Sequence, residues 1–132
     1  MDNAATGSTL RANGLHIVDT LITSSTRLFA HPKALQDPSK KKAIDELVIT
    51  LQSVLAGRAH LLVEFNISAA AFEKAAPQLP CMKAPTVAKL HNADGFAVKI
   101  VVLKTRLAKL IPELRALGAE DIIVSAVKQI AH

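Results

Sequence analysis

The chain has 132 residues, half of them hydrophobic, with 16 Lys+Arg against 11 Asp+Glu. That apolar share supports a packed core and excludes a chain disordered for want of one. The basic excess is spread evenly, seven basic against five acidic residues over 1–58 and nine against six over 59–132, so no concentrated cationic face is offered to phosphates.

Four Phe with no Tyr and no Trp leave few rings on which bases could stack, and no nucleic-acid partner is expected. Cys81 is the only cysteine, which rules out an internal disulfide and a thiolate metal cage and suits a reducing compartment. Neither a leader pattern nor an apolar run of ~20 residues is present, so no membrane partner is expected and the expected location is cytoplasmic.

The chain opens on "DNAATGSTLRANGL", Asp2 to Leu15. Within it, Thr6-Gly7-Ser8-Thr9 has the makings of a phosphate cradle, because successive backbone N–H groups and small hydroxyls can converge on an anion. Such a cradle normally follows a strand, and only a few residues precede this one. A plain helix cap is the alternative. "HIVDTLITSSTRLFA", His16 to Ala30, mixes β-branched and polar residues and reads as extended structure with a bend. After it, "HPKALQDPSKKK" punctuates the chain, and Asp37-Pro38 offers an N-cap followed by proline at the first helical position. Ile44, Leu47, Val48, Leu51, Val54 and Leu55 then recur at helical spacing, with Gly57 as the expected stop. That stripe must be covered or it will associate.

From His60 the period changes. "HLLVEFNI" alternates as a strand with Leu61, Val63, Phe65 and Ile67 on one face. Ser68 caps a short helix bearing Phe72, Ala75, Ala76 and Leu79, whose last turn Pro77 should weaken. "APTVAKL" and "GFAVKIVV" read as the second and third strands. Leu107, Leu110, Ile111, Leu114 and Leu117 mark a second helix stopped by Gly118, and "DIIVSAV" reads as the last strand. The order βαββαβ is the ferredoxin-like arrangement, so the expected class is α+β. Both helices should cover one sheet face, leaving His60, Leu62, Glu64 and Asn66 with Ala97, Lys99, Val101 and Leu103 on the other.

Little in this pattern is catalytic. His16, His31, His60, His91 and His132 form no closely spaced pair, so no metal site is expected. Cys81, Thr86 and Ser125 lie in no nucleophile elbow and beside no base at a known spacing. "DGFAVKIV" partly matches an RNA-recognition signature, but Val98 and Val101 stand where rings would stack bases.

Taken together, "D-x-x-x-T-G-x-T-L-x-A-N-G-L", "AIDELVITLQSVLAGR", "APTVAKL" and "LRALGAEDIIVSAVKQI" resemble the C-terminal part of the long-form ATP phosphoribosyltransferase family, in order and over essentially the whole chain. The resemblance implies a first step of histidine biosynthesis in which ATP and phosphoribosyl pyrophosphate yield phosphoribosyl-ATP and pyrophosphate with Mg²⁺ bound alongside substrate. It implies that residues 1–57 are the end of the catalytic domain, a phosphate loop (Thr6, Gly7, Ser8, Thr9), a strand and a linking helix. Residues 58–132 would be a ferredoxin-like regulatory domain binding L-histidine as allosteric inhibitor. Carried over by position, the histidine site is Asn66, Thr86, Val101 and Asp121. Some members of the family have an acidic residue where Asn66 stands, which would shift ammonium recognition toward Asp121. No catalytic and no metal-binding residue is assigned here. With most of the catalytic lobes expected before Met1, this chain alone should not catalyse transfer. A homo-oligomer is expected. The alternative is a free-standing ferredoxin-like sensor or oligomerisation module.

Overall fold

The computed structural model describes residue 10 and residues 12–131; the chain divides between Pro32 and Lys33 into two compact units. In the first unit the N–H groups of Asn13 and Leu15 donate to the Leu10 carbonyl at 3.1 and 2.9 Å. Residues 15–31 then form neither helix nor strand, and they are exposed. The strand expected between His16 and Ala30 is therefore not formed. β-branched residues favour extended backbone, but a strand exists only where a neighbour completes its hydrogen-bond ladder.

A short helix, α1 (Pro32–Gln36), leads into α2 (Pro38–Ala59). The start of α2 follows from its sequence. Asp37 accepts hydrogen bonds from the N–H groups of Ser39 and Lys40 at 3.0 and 3.2 Å, and Pro38 takes a position where a missing N–H costs nothing. Its end does not. Gly57 is buried inside the helix rather than stopping it, and a Cβ built there would lie 2.5 Å from the carbonyl oxygen of Lys128. Glycine is needed because the chain's C-terminal segment crosses the helix at this point, where the Ile130 N–H donates to the Ser53 carbonyl at 3.0 Å. Ser53 and Gly57 are the buried residues of α2. Ser53 lies nine residues beyond Ile44, roughly 180° around the axis. The helix thus buries its small, polar side and leaves Leu47, Leu51 and Leu55 exposed.

The remainder is β1 (His60–Ile67), α3 (Ala69–Ala75), β2 (Thr86–Lys89), β3 (Phe96–Leu103), α4 (Leu107–Ala116) and β4 (Ala119–Ala126). The sheet order β2-β3-β1-β4, with every pair antiparallel, is that of a ferredoxin-like module. Ser68 caps α3 through its hydroxyl, which accepts from the Ala71 N–H at 3.3 Å. Pro77 falls in a 3₁₀ turn, Ala76–Gln78, as its missing donor requires. Gly118, at φ +85°, ends the run of α4 in the left-handed conformation that glycine adopts without strain. The core joins Val63, Phe65 and Ile67 of β1 to Val98, Ile100 and Val102 of β3, closed over by Ala75, Leu110 and Leu114. Each buried Val, Leu, Ile or Phe among them contributes about 1.5–3 kcal/mol by leaving water.

Candidate functional site

With α3 and α4 on one face, the other face of the sheet is open, and its register fixes which side chains meet there. Thr86 lies opposite Lys99, Lys99 opposite Glu64, and Glu64 opposite Ile123, so one row crosses all four strands. Lys99 Nζ and Glu64 Oε1 are 3.0 Å apart within that row. In the next row Val101 lies opposite Leu62, and Leu62 opposite Ser125.

An open cleft of about 470 Å³ lies at the β2–β3 side, lined by Leu62, Lys83, Thr86, Lys99, Val101 and Ile130 among others. Two of the expected histidine-site residues, Thr86 and Val101, are brought together in it. Its apolar lining suits a ring or an aliphatic chain, and its charged groups are both lysines, with no carboxylate among the lining residues.

The other two, Asn66 and Asp121, meet at the β1–β4 side, where Asn66 Nδ2 donates to Asp121 Oδ2 at 3.0 Å. Their meeting depends on an irregularity. Glu64 pairs with Ile123 but Asn66 pairs with Glu120, so β4 holds one residue more than β1 over this interval. Asp121 sits in this bulge at φ +50°. Aspartate tolerates that conformation better than most residues. The bulge reverses the alternation of β4: Ala119 stays in the core while Glu120, opposite Asn66, faces outward beside Asp121. The strand also begins at Ala119, two residues before the expected start, because this bulged pair continues the ladder.

The open face is therefore polarised, with Lys83 and Lys99 toward β2 and Glu120 and Asp121 on β4. Thr86 and Asp121 stand on opposite edge strands, three strand spacings or about 14 Å across the sheet, and in different rows along it. That is further than one free amino acid reaches from its ammonium to its ring. Thr6, Gly7, Ser8 and Thr9 lie outside the described residues. Lys83, Lys99, Glu64 and Ile130 were not among the expected site residues. Alternation alone puts Glu64 and Lys99 on the open face; that they stand opposite one another is a matter of register, which no single strand reveals. Among the described residues no helix is long and apolar enough to cross a membrane.

Comparison with known proteins agrees with the order of elements. Residues 57–129 match the family described as "HisG, C-terminal domain", and residues 1–53 match the family described as "ATP phosphoribosyltransferase". The chain is 36% identical over 130 residues to an ATP phosphoribosyltransferase of Methanocaldococcus jannaschii, covering 98% of this chain and 45% of that protein. It is 38% identical over 125 residues to that of Solidesulfovibrio magneticus, covering 95% and 43%, and 35% identical over 122 residues to that of Pelotomaculum thermopropionicum, covering 92% and 42%. The chain thus spans less than half the length of these relatives.

Proposed function

Residues 57–129 make this chain a member of the HisG C-terminal domain family, and from that premise we propose that residues 58–132 are the histidine-sensing regulatory domain of an ATP phosphoribosyltransferase whose catalytic domain includes residues 1–57. The observation that carries the proposal is the open, polarised sheet face. A free amino acid needs an acceptor for its ammonium, donors for its carboxylate and an apolar wall for its side chain. Asp121, steadied by Asn66, accepts the ammonium, and the cleft at Thr86 and Val101 receives the remainder. Because the two halves are too far apart for one ligand within one chain, Asp121 of one subunit faces the cleft of another in a homo-oligomer.

In the complete enzyme, the loop Thr6-Gly7-Ser8-Thr9 holds the phosphate of phosphoribosyl pyrophosphate, and ATP attacks the ribose carbon as pyrophosphate leaves. Mg²⁺ bound with the substrate would supply neutralisation of the leaving pyrophosphate's charge. Among the described residues no group of three His, Cys, Asp or Glu is placed to hold a metal ion. Transfer requires the nucleophile and leaving group to be held in line, a task for more chain than these residues supply. The 132 residues alone should release no pyrophosphate from ATP, phosphoribosyl pyrophosphate and Mg²⁺, and measured turnover would contradict this division of labour. A free-standing sensor would use the same sheet but leaves the match of residues 1–53 without a purpose. Calorimetric titration of the chain with a panel of amino acids tests the ligand: L-histidine should bind in preference, and equal binding or none would remove the assignment.

A further inference from the structure

Resting on the histidine-sensing proposal, we propose that Lys99 receives the carboxylate of the amino-acid ligand and that Glu64, its ion-pair partner, competes with that carboxylate and so sets the affinity. The position of Lys99 is what distinguishes it. It lies in the middle of β3 with Thr86 opposite on one side and Glu64 on the other, so its backbone is fixed by two ladders. Lys83 also lines the cleft but belongs to the irregular segment before β2. An ammonium group carries three donors and no acceptor. Glu64 Oε1, at 3.0 Å, occupies one of them, which leaves donors for a second anion.

The surroundings favour that anion. With no carboxylate among the cleft's lining residues, a ligand carboxylate arriving beside Thr86 meets the Lys99 ammonium, the Thr86 hydroxyl and the Lys83 charge. The opposing charge nearest Lys99 is Glu64, one strand away. Both side chains are half-exposed, 51% for Lys99 and 38% for Glu64. Their pairing is therefore weak enough to be rearranged by a ligand, whereas a buried pair would resist it. A cross-strand pair that merely supports the sheet would look the same at rest. The two roles separate once the ligand's carboxylate is varied.

The test titrates the full 132-residue chain with L-histidine, with L-histidinol, which has an alcohol in place of the carboxylate, and with imidazolepropionate, which keeps the carboxylate and lacks the ammonium. Wild type should bind L-histidine about tenfold more tightly than L-histidinol, the usual scale of a charge-assisted hydrogen bond. Lys99→Met should weaken L-histidine and imidazolepropionate about tenfold while leaving L-histidinol unchanged, and Lys99→Arg should keep most of the affinity. Glu64→Gln should tighten both carboxylates by about two- to fivefold, the scale of an exposed ion pair. Equal weakening of L-histidine and L-histidinol by Lys99→Met would show a structural lysine and overturn the proposal while the histidine-sensing function stands. Imidazolepropionate binding that depends on Lys99, with no preference for L-histidine, would do the reverse. No binding of any carboxylate would overturn both.

Discussion

Helices α2 and α4 both carry leucines at helical spacing and put them to opposite uses. In α4, Leu110 and Leu114 are 1% and 0% exposed, pressed against the sheet. In α2, Leu47, Leu51 and Leu55 are 48%, 45% and 62% exposed, while the small face at Ser53 and Gly57 is covered by the chain's own C-terminal segment. Periodicity states that a face needs covering but not by what. A helix that packs through its glycine and serine leaves its leucines exposed among the described residues, as the proposed linker to a catalytic domain would.

The largest expected contrast is in stability. Leu114→Ala should cost about 2–5 kcal/mol, because it leaves a cavity under a fully packed helix. Leu51→Ala should stay within about 0.5 kcal/mol. Urea denaturation of the two variants measures both, and similar losses would mean that α2 buries its stripe within the chain after all. Next is the ligand side: Asp121→Ala removes a charged acceptor and should weaken L-histidine by about 1.5–3 kcal/mol, read by calorimetry. Thr86→Val, which removes one neutral hydroxyl, should cost about 1 kcal/mol. Unchanged affinity in both would place the ligand elsewhere. Gly57→Ala tests the covered side of α2 directly. The new methyl meets backbone at Lys128, and overpacking of this kind costs about 1–3 kcal/mol. A neutral result would show that the C-terminal segment is free to move away.

Much of the module was legible because its signals are local. Alternation in "HLLVEFNI" and "GFAVKIVV", the Ser68 cap, Pro77 and Gly118 each act within a few residues, and each element forms where they point. What could not be read depends on residues distant in sequence. Gly57 resembles a helix stop until Lys128 is found against it. Asp121 resembles a strand start until the slip between Glu64 and Asn66 places it in a bulge. His16 to Ala30 has β-branched residues suited to a strand but no ladder partner among the described residues. The site divided the same way. Positions on the open face followed from alternation, whereas the pairing of Asn66 with Asp121, of Lys99 with Glu64, and the wide separation of Thr86 from Asp121 required the assembled sheet.

Under the proposed function the exposed stripe and a ligand site shared between subunits would each drive association, and the two can be separated. The chain should self-associate as concentration rises, less so in the Leu47→Glu, Leu51→Glu double variant. The most direct measurement is sedimentation equilibrium of that double variant with and without L-histidine. If Asp121 and the Thr86 cleft complete one site from two subunits, histidine must favour the assembled form, because a ligand shifts an equilibrium toward the state it binds more tightly. The average mass should therefore rise with L-histidine, and with L-histidinol only at about tenfold higher concentration. Stoichiometric binding of L-histidine to a chain that stays monomeric would contradict a site shared between subunits.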